Sequence, residues 1–145
     1  MIYILDHNDS FTYNVVHQLS LFDEVVCDNY SNINQKYLNK AHTVVLSPGP
    51  GNPKNYPSSS KLYKKLKGNK KILGICLGFQ QILFNEGATI IEQNKIYHGH
   101  QSLIKVNNKS RLFKSNSHFK VGRYHSLKLK EPFFAKNFDI TMRCK

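Results

Sequence analysis

Gly74 and Gly78 stand two residues before and two residues after Cys76, where an apolar run meets a stretch of helical character. Small residues at those two places permit a tight, strained turn from a buried strand into a helix, and such a turn pushes the intervening side chain out into a cleft. The segment Ile72-Leu-Gly-Ile-Cys-Leu-Gly-Phe-Gln80 therefore reads as the thiol form of a nucleophile elbow. The helix that follows aims its first N–H groups at the sulfur, which is expected to lower the thiol pKa. The N–H of Leu77 is placed to donate to an oxyanion as a thiolate attacks a carbonyl. Gly-x-Cys-x-Gly alone is also compatible with a small buried cysteine at a packed strand end.

The rest of the chain supplies a frame for such an elbow. Ile2–Leu5, Val25–Cys27, Thr43–Leu46 and Lys71–Ile75 read as short buried strands. Helices are expected after a Ser10 cap, with Val15, Val16, Leu19 and Phe22 on one face, over Ser58–Leu66 with Gly68 as its stop, and over Gly78–Asn85. The loop Ser47–Pro53 is too rich in Pro and Gly for either element. This alternation predicts an α/β domain with a mostly parallel central sheet covered by helices on both faces. Beyond Gly87 the helical pattern fades, and Ala88–Ile91, Ser102–Val106, Phe119–Val121 and Asp139–Arg143 read as shorter strands separated by turns. With no repeat and no linker, residues 1–145 are expected to form one domain.

Composition narrows the chemistry. Three scattered cysteines, Cys27, Cys76 and Cys144, give neither a disulfide framework nor metal-ligand spacing, so no metal and no cofactor is expected. No apolar run approaches the ~20 residues needed to span a bilayer, and the Met-Ile-Tyr-Ile-Leu-Asp start lacks a leader pattern. A cytoplasmic protein without membrane contact is the expectation. The formal net charge of +12 could favour a nucleic acid. Its lysines are spread over what reads as solvated surface, however, and no recognition helix or aromatic stacking platform accompanies them. Nucleic-acid binding is therefore not expected.

Four ordered blocks carry a resemblance: Asp9-Ser-Phe-Thr-Tyr-Asn14, Leu46-Ser-Pro-Gly-Pro-Gly-Asn-Pro53, Gly74-Ile-Cys-Leu-Gly-Phe-Gln80 and Arg123-Tyr-His-Ser-Leu127. Together they resemble the class I (triad-type) glutamine amidotransferases, with the small subunits of anthranilate synthase and aminodeoxychorismate (para-aminobenzoate) synthase most similar. The resemblance implies the flavodoxin-like amidotransferase fold. It also implies hydrolysis of L-glutamine through a cysteine thioester, with ammonia passed to a large chorismate-binding synthase subunit in tryptophan or folate biosynthesis. By position, Cys76 would be the nucleophile. Gly49, Pro50 and Gly51 would line the glutamine site and add an oxyanion N–H, and Leu77, Gln80, Ser126 and Leu127 would complete the substrate contacts. Asp9–Asn14 would meet the synthase or support the glutamine loop.

Two departures from the family pattern stand out. Phe79 replaces the usual histidine after the second glycine, a change expected to alter packing rather than chemistry. The family's catalytic His and Glu lie in a His-Pro-Glu block; Ile140-Thr-Met-Arg-Cys-Lys145 resembles the strand leading to it, and no such block follows in these 145 residues. His98 and His100, flanking Gly99 in what reads as a loop, are poor substitutes because no carboxylate is obviously poised to orient them. The resemblance thus implies a C-terminally truncated domain of reduced glutaminase activity. The alternative is a non-catalytic relative that only binds the synthase.

Overall fold

A computed structural model describes residues 1–107, 110–134 and 137–144. The chain forms two compact units, Met1–Ile90 and Ile91–Lys145.

The first unit is built on four parallel strands: β1 (Ile2–Asp6), β2 (Val25–Asn29), β3 (Thr43–Leu46) and β4 (Lys71–Gly74), in the order β2-β1-β3-β4. Side chains alternate across a strand, so β1 feeds two apolar layers. Tyr3 and Leu5 join Val44 and Leu46 of β3 on one face, under Leu38 of helix α2 (Gln35–Lys40) and Leu62 and Leu66 of α3 (Pro57–Leu66). On the other face Ile2, Ile4 and Val45 meet Val15, Val16 and Leu19 of α1 (Thr12–Ser20). Helices thus cover both faces of a parallel sheet, as the alternation predicts. Each fully buried apolar side chain of this kind contributes about 1.5–3 kcal/mol.

The termini of these elements differ in detail from the sequence reading. Ser10 does not cap α1; Phe11 occupies the cap position without a side-chain bond, and Asp9 Oδ1 accepts the Phe11 N–H at 2.8 Å instead. Phe22 lies beyond the helix and is exposed. The sequence pattern does not reveal α2, which is only six residues long, although Asn34 caps it by accepting the N–H groups of Lys36 and Tyr37. α3 ends before Gly68, whose φ of +83° is the left-handed conformation expected of a glycine stop. α4 (Leu77–Asn85) completes the unit.

The second unit is a separate three-stranded sheet of order β6-β5-β7, from β5 (Ile90–Val106), β6 (His118–Leu129) and β7 (Met142–Cys144). β5 and β7 run antiparallel. The expected Ala88–Ile91 and Ser102–Val106 strands are parts of the single 17-residue β5. Asn94 and Gly99 look like turn residues in sequence, yet the backbone continues through both as strand. Phe119–Val121 likewise extends into the 12-residue β6. The predicted Asp139–Arg143 strand is displaced to Met142–Cys144. Lys145, the end of the Ile140–Lys145 segment, lies outside the described residues.

Candidate active site

The β4-to-α4 turn has the strain that the bracketing glycines suggested. Cys76 sits at φ 52°, ψ −108°, a region costly for a residue with a Cβ, immediately before the first residue of α4. The glycines allow it by close approach. A Cβ on Gly74 would lie 2.5 Å from the Gly78 carbonyl oxygen, and a Cβ on Gly78 would lie 2.0 Å from the Leu46 carbonyl oxygen. Backbone bonds lock the turn: Ile75 N–H to Leu46 O at 3.0 Å, Gly78 N–H shared between Ile75 O at 2.9 Å and Ser47 O at 3.1 Å, and Gln80 N–H to Cys76 O at 3.0 Å. The elbow is thereby stitched to the start of the Pro-Gly loop.

Cys76 is exposed, as a nucleophile must be. Its thiol is nonetheless pushed above the ordinary cysteine range, chiefly by partial desolvation and further by the negative charge of Asp9. The Leu77 N–H works in the opposite sense. The net direction corrects the expectation of a lowered pKa: the pull of the helix N-terminus is present but is outweighed by burial. Among the described residues no imidazole hydrogen-bonds this thiol.

The loop Ser47–Gly51 packs directly on the elbow. A Cβ on Gly49 would lie 2.5 Å from Leu77 Cδ2 and 2.6 Å from His7 Cβ, so only glycine fits between them. Gly51 has φ +75°. The Pro50 carbonyl accepts the Tyr56 hydroxyl at 2.8 Å. Behind the loop, His7 is fully buried, with Nδ1 3.2 Å from Ser47 Oγ and Nε2 2.9 Å from Ser59 Oγ. Its ring meets Tyr56 edge-on at 5.0 Å and stacks with Tyr30 at 5.8 Å. Desolvation lowers the His7 pKa to about 4, which keeps the imidazole neutral. His7, Ser59 and Tyr56 are supports that the sequence reading missed; their partners are far away in the chain.

The structure therefore gathers Gly49, Pro50, Gly51, Cys76, Leu77 and Gln80 within the first unit. Gln80 and Leu77 are buried, whereas Phe79, the departure from the family pattern, is exposed beside them. The remaining two expected residues, Ser126 and Leu127, lie on β6 of the second unit. There Arg123 Nε lies 3.1 Å from His125 Nε2, and His125 Nδ1 lies 2.6 Å from Gln93 Nε2 and 2.9 Å from the Leu127 carbonyl oxygen. The Arg123 guanidinium is stacked 3.6 Å over Tyr97. His98 and His100 are exposed residues of β5, not of a loop before a strand.

Among the described residues no cluster of His, Cys, Asp and Glu is placed to hold a metal ion, and no helix is long and apolar enough to cross a membrane.

Comparison with known proteins places these features in a family. The family model described as "Glutamine amidotransferase class-I" matches residues 3–145. "Anthranilate synthase component 2" of Lactococcus lactis is 36% identical over 143 residues, covering 97% of this chain and 72% of the relative. Its namesake in Helicobacter pylori (strain 26695) is 37% identical over 134 residues, covering 87% of this chain and 69% of the relative. Among solved structures, a putative GMP synthase protein from Thermoplasma acidophilum superposes with a TM-score of 0.79 at 21% identity, covering 97% of this chain and 71% of that one. A glutamine amidotransferase from Thermotoga maritima gives a TM-score of 0.67 at 18% identity, over 90% and 62% of the two chains. At those identities the structural matches speak for the fold alone.

Proposed function

The chain belongs to the class I glutamine amidotransferase family, and we propose that its Cys76 hydrolyses L-glutamine to supply ammonia to a chorismate-using synthase subunit. The observation that carries this reading is the strained conformation of Cys76, held at φ 52° beside the Leu77 N–H and under a glycine loop. Backbone strain at a single exposed cysteine is unfavourable unless the surrounding packing imposes it, and it serves to present the sulfur to a ligand.

In the proposed reaction the Cys76 thiolate adds to the side-chain amide carbon of glutamine. The N–H of Leu77 and an N–H from the Gly49–Gly51 loop receive the negative charge that develops on oxygen. Taking a proton from solvent, the tetrahedral adduct collapses with loss of ammonia to a glutamyl thioester, and water then releases glutamate and regenerates the thiol. Within the first unit Gln80 would hold the substrate. Identities of 36% and 37% to anthranilate synthase component 2 relatives favour a large anthranilate-forming synthase as partner over an aminodeoxychorismate-forming one. No cofactor enters this scheme, and the setting would be cytoplasmic.

The test is to mix the chain with the large synthase subunit of its own genome and follow glutamate release from glutamine with the wild type and with Cys76→Ser. Glutamate formation that vanishes in the variant supports the reading. A variant that stimulates the synthase's ammonia-dependent reaction as well as the wild type does, with no glutamate formed by either, would leave only a binding role.

A further inference from the structure

His7 is buried behind the Pro-Gly loop, and the scheme above does not use it. Its hydrogen bonds can be assigned by counting donors. Ser47 has one hydroxyl proton, and its Oγ lies 2.6 Å from the Pro48 carbonyl, which can only accept. That proton is therefore committed to Pro48. Ser47 Oγ must then accept both the His7 backbone N–H at 2.9 Å and, at 3.2 Å, a proton on His7 Nδ1. Nε2 is consequently the bare nitrogen and accepts the Ser59 hydroxyl at 2.9 Å. The result is one directed chain: Ser59 hydroxyl to His7, His7 to Ser47, Ser47 to the Pro48 carbonyl.

A trans peptide is planar, with its C=O and N–H pointing in opposite directions. Tying the Pro48 carbonyl to Ser47 thus turns the Gly49 N–H away from Ser47. Tyr56, packed on the edge of the His7 ring, does the same at Pro50, so the Gly51 N–H points away from Tyr56 Oη. Among the described residues neither the Gly49 nor the Gly51 N–H has a hydrogen-bond partner. Unpaired backbone donors on a loop anchored through the Ser47, Pro48 and Pro50 carbonyls are poised for a ligand.

We propose that His7 is a positioning residue: through Nδ1–H and Ser47 it fixes the Pro48–Gly49 peptide so that the Gly49 N–H is held ready for the oxyanion. This rests on Cys76 acting as the glutaminase nucleophile. Aspartate, glutamate or lysine at position 7 would put a charge in this buried place; Asp6 is the charged group that acts on the ring, and Tyr30 and Tyr56 are the titratable groups packed on it.

The two ring nitrogens allow a test that separates positioning from stability. In His7→Asn the amide nitrogen can stand where Nδ1 stands and keep the bond to Ser47. In His7→Gln the amide reaches instead toward Ser59 and gives up Ser47. Both variants disturb the core and should lower the thermal midpoint. The probes are a chloroketone analogue of glutamine, to whose carbonyl the Cys76 thiolate adds with formation of an oxyanion, and iodoacetamide, whose iodide the thiolate displaces without one.

Loss of one oxyanion donor costs ~10²–10³ in rate, so His7→Gln should slow chloroketone inactivation by at least about tenfold, with His7→Asn within about threefold of wild type. Iodoacetamide rates should be nearly the same in all three proteins. Equal chloroketone rates in His7→Gln and wild type, equal losses in both variants, or a parallel fall in iodoacetamide rates would overturn the assignment. Wild-type inactivation that L-glutamine does not suppress would instead sink the underlying glutaminase reading, and the His7 role with it.

Discussion

Gly78 lies so tightly beneath Leu46 that a Cβ added to it would come within 2.0 Å of the Leu46 carbonyl oxygen. That contact joins the nucleophile turn to the strand from which the Pro-Gly loop departs. Gly78→Ala cannot be accommodated without moving backbone, and it should cost more than about 3 kcal/mol in urea unfolding or prevent folding altogether. Gly68→Ala is the control. Its new Cβ would meet nothing within 4 Å, so only the positive φ is penalised, at about 1 kcal/mol. Similar losses for the two would show that the turn yields easily.

The thiol of Cys76 should titrate above the ordinary cysteine value of about 8.5. Its iodoacetamide rate should therefore still be rising at pH 9. Asp9→Asn keeps an acceptor for the Phe11 N–H while removing the charge that opposes the thiolate. It should move the rate profile to lower pH. A profile that is flat from pH 7 to 9, or one that Asp9→Asn shifts upward, would contradict this electrostatic picture.

The elbow and the loop were legible in sequence because their glycines stand at short fixed spacings, Gly74 and Gly78 about Cys76 and Gly49 and Gly51 about Pro50, although the atoms that exclude a Cβ at Gly49 and Gly78 belong to His7, Leu77 and Leu46, far away in the chain. The four parallel strands were legible for the same reason, as short apolar runs between helical stretches. His7 was not, because its partners Ser47 and Ser59 are 40 and 52 positions away. Nor was β5, in which Asn94 and Gly99 mimic turn residues while the strand runs on through both, Gly99 itself at φ +72°. The net shift at Cys76 was misjudged because desolvation depends on packing, whereas the helix N-terminus can be read from sequence alone.

Stability should depend on pH through His7. Its pKa is lowered to about 4 in the fold, against about 6.5 in the unfolded chain. The unfolded state therefore binds the proton more readily. The stabilisation is fully present above about pH 6.5, is lost as pH falls toward 4, and levels off below that, with a total on the order of 3 kcal/mol. Urea unfolding at pH 7 and pH 4.5 should show the fall in the wild type, and His7→Asn should show much less of it. An equal fall in both would assign the effect to other groups.

A second window lies lower. Asp23 accepts the N-terminal ammonium at 2.8 Å and pairs with His42 Nε2 at 2.6 Å, and its pKa is lowered to about 2, first by the ammonium. A depressed carboxylate stabilises the fold above its unfolded pKa of about 4, and that contribution disappears as pH falls through 2. Asp23→Asn should therefore narrow the stability difference between pH 4 and pH 2, as read by thermal unfolding. A wild-type curve unchanged by the substitution would mean that solvent screens this exposed network completely.

Whether Cys76 faces a glutamine site is read most directly by peptide-level mass spectrometry of iodoacetamide labelling at Cys76, Cys27 and Cys144 across a series of L-glutamine concentrations. The expected result is saturable protection of Cys76 by L-glutamine, none by D-glutamine, and no change at Cys27 or Cys144. Labelling of Cys76 that is indifferent to L-glutamine at every concentration would contradict it.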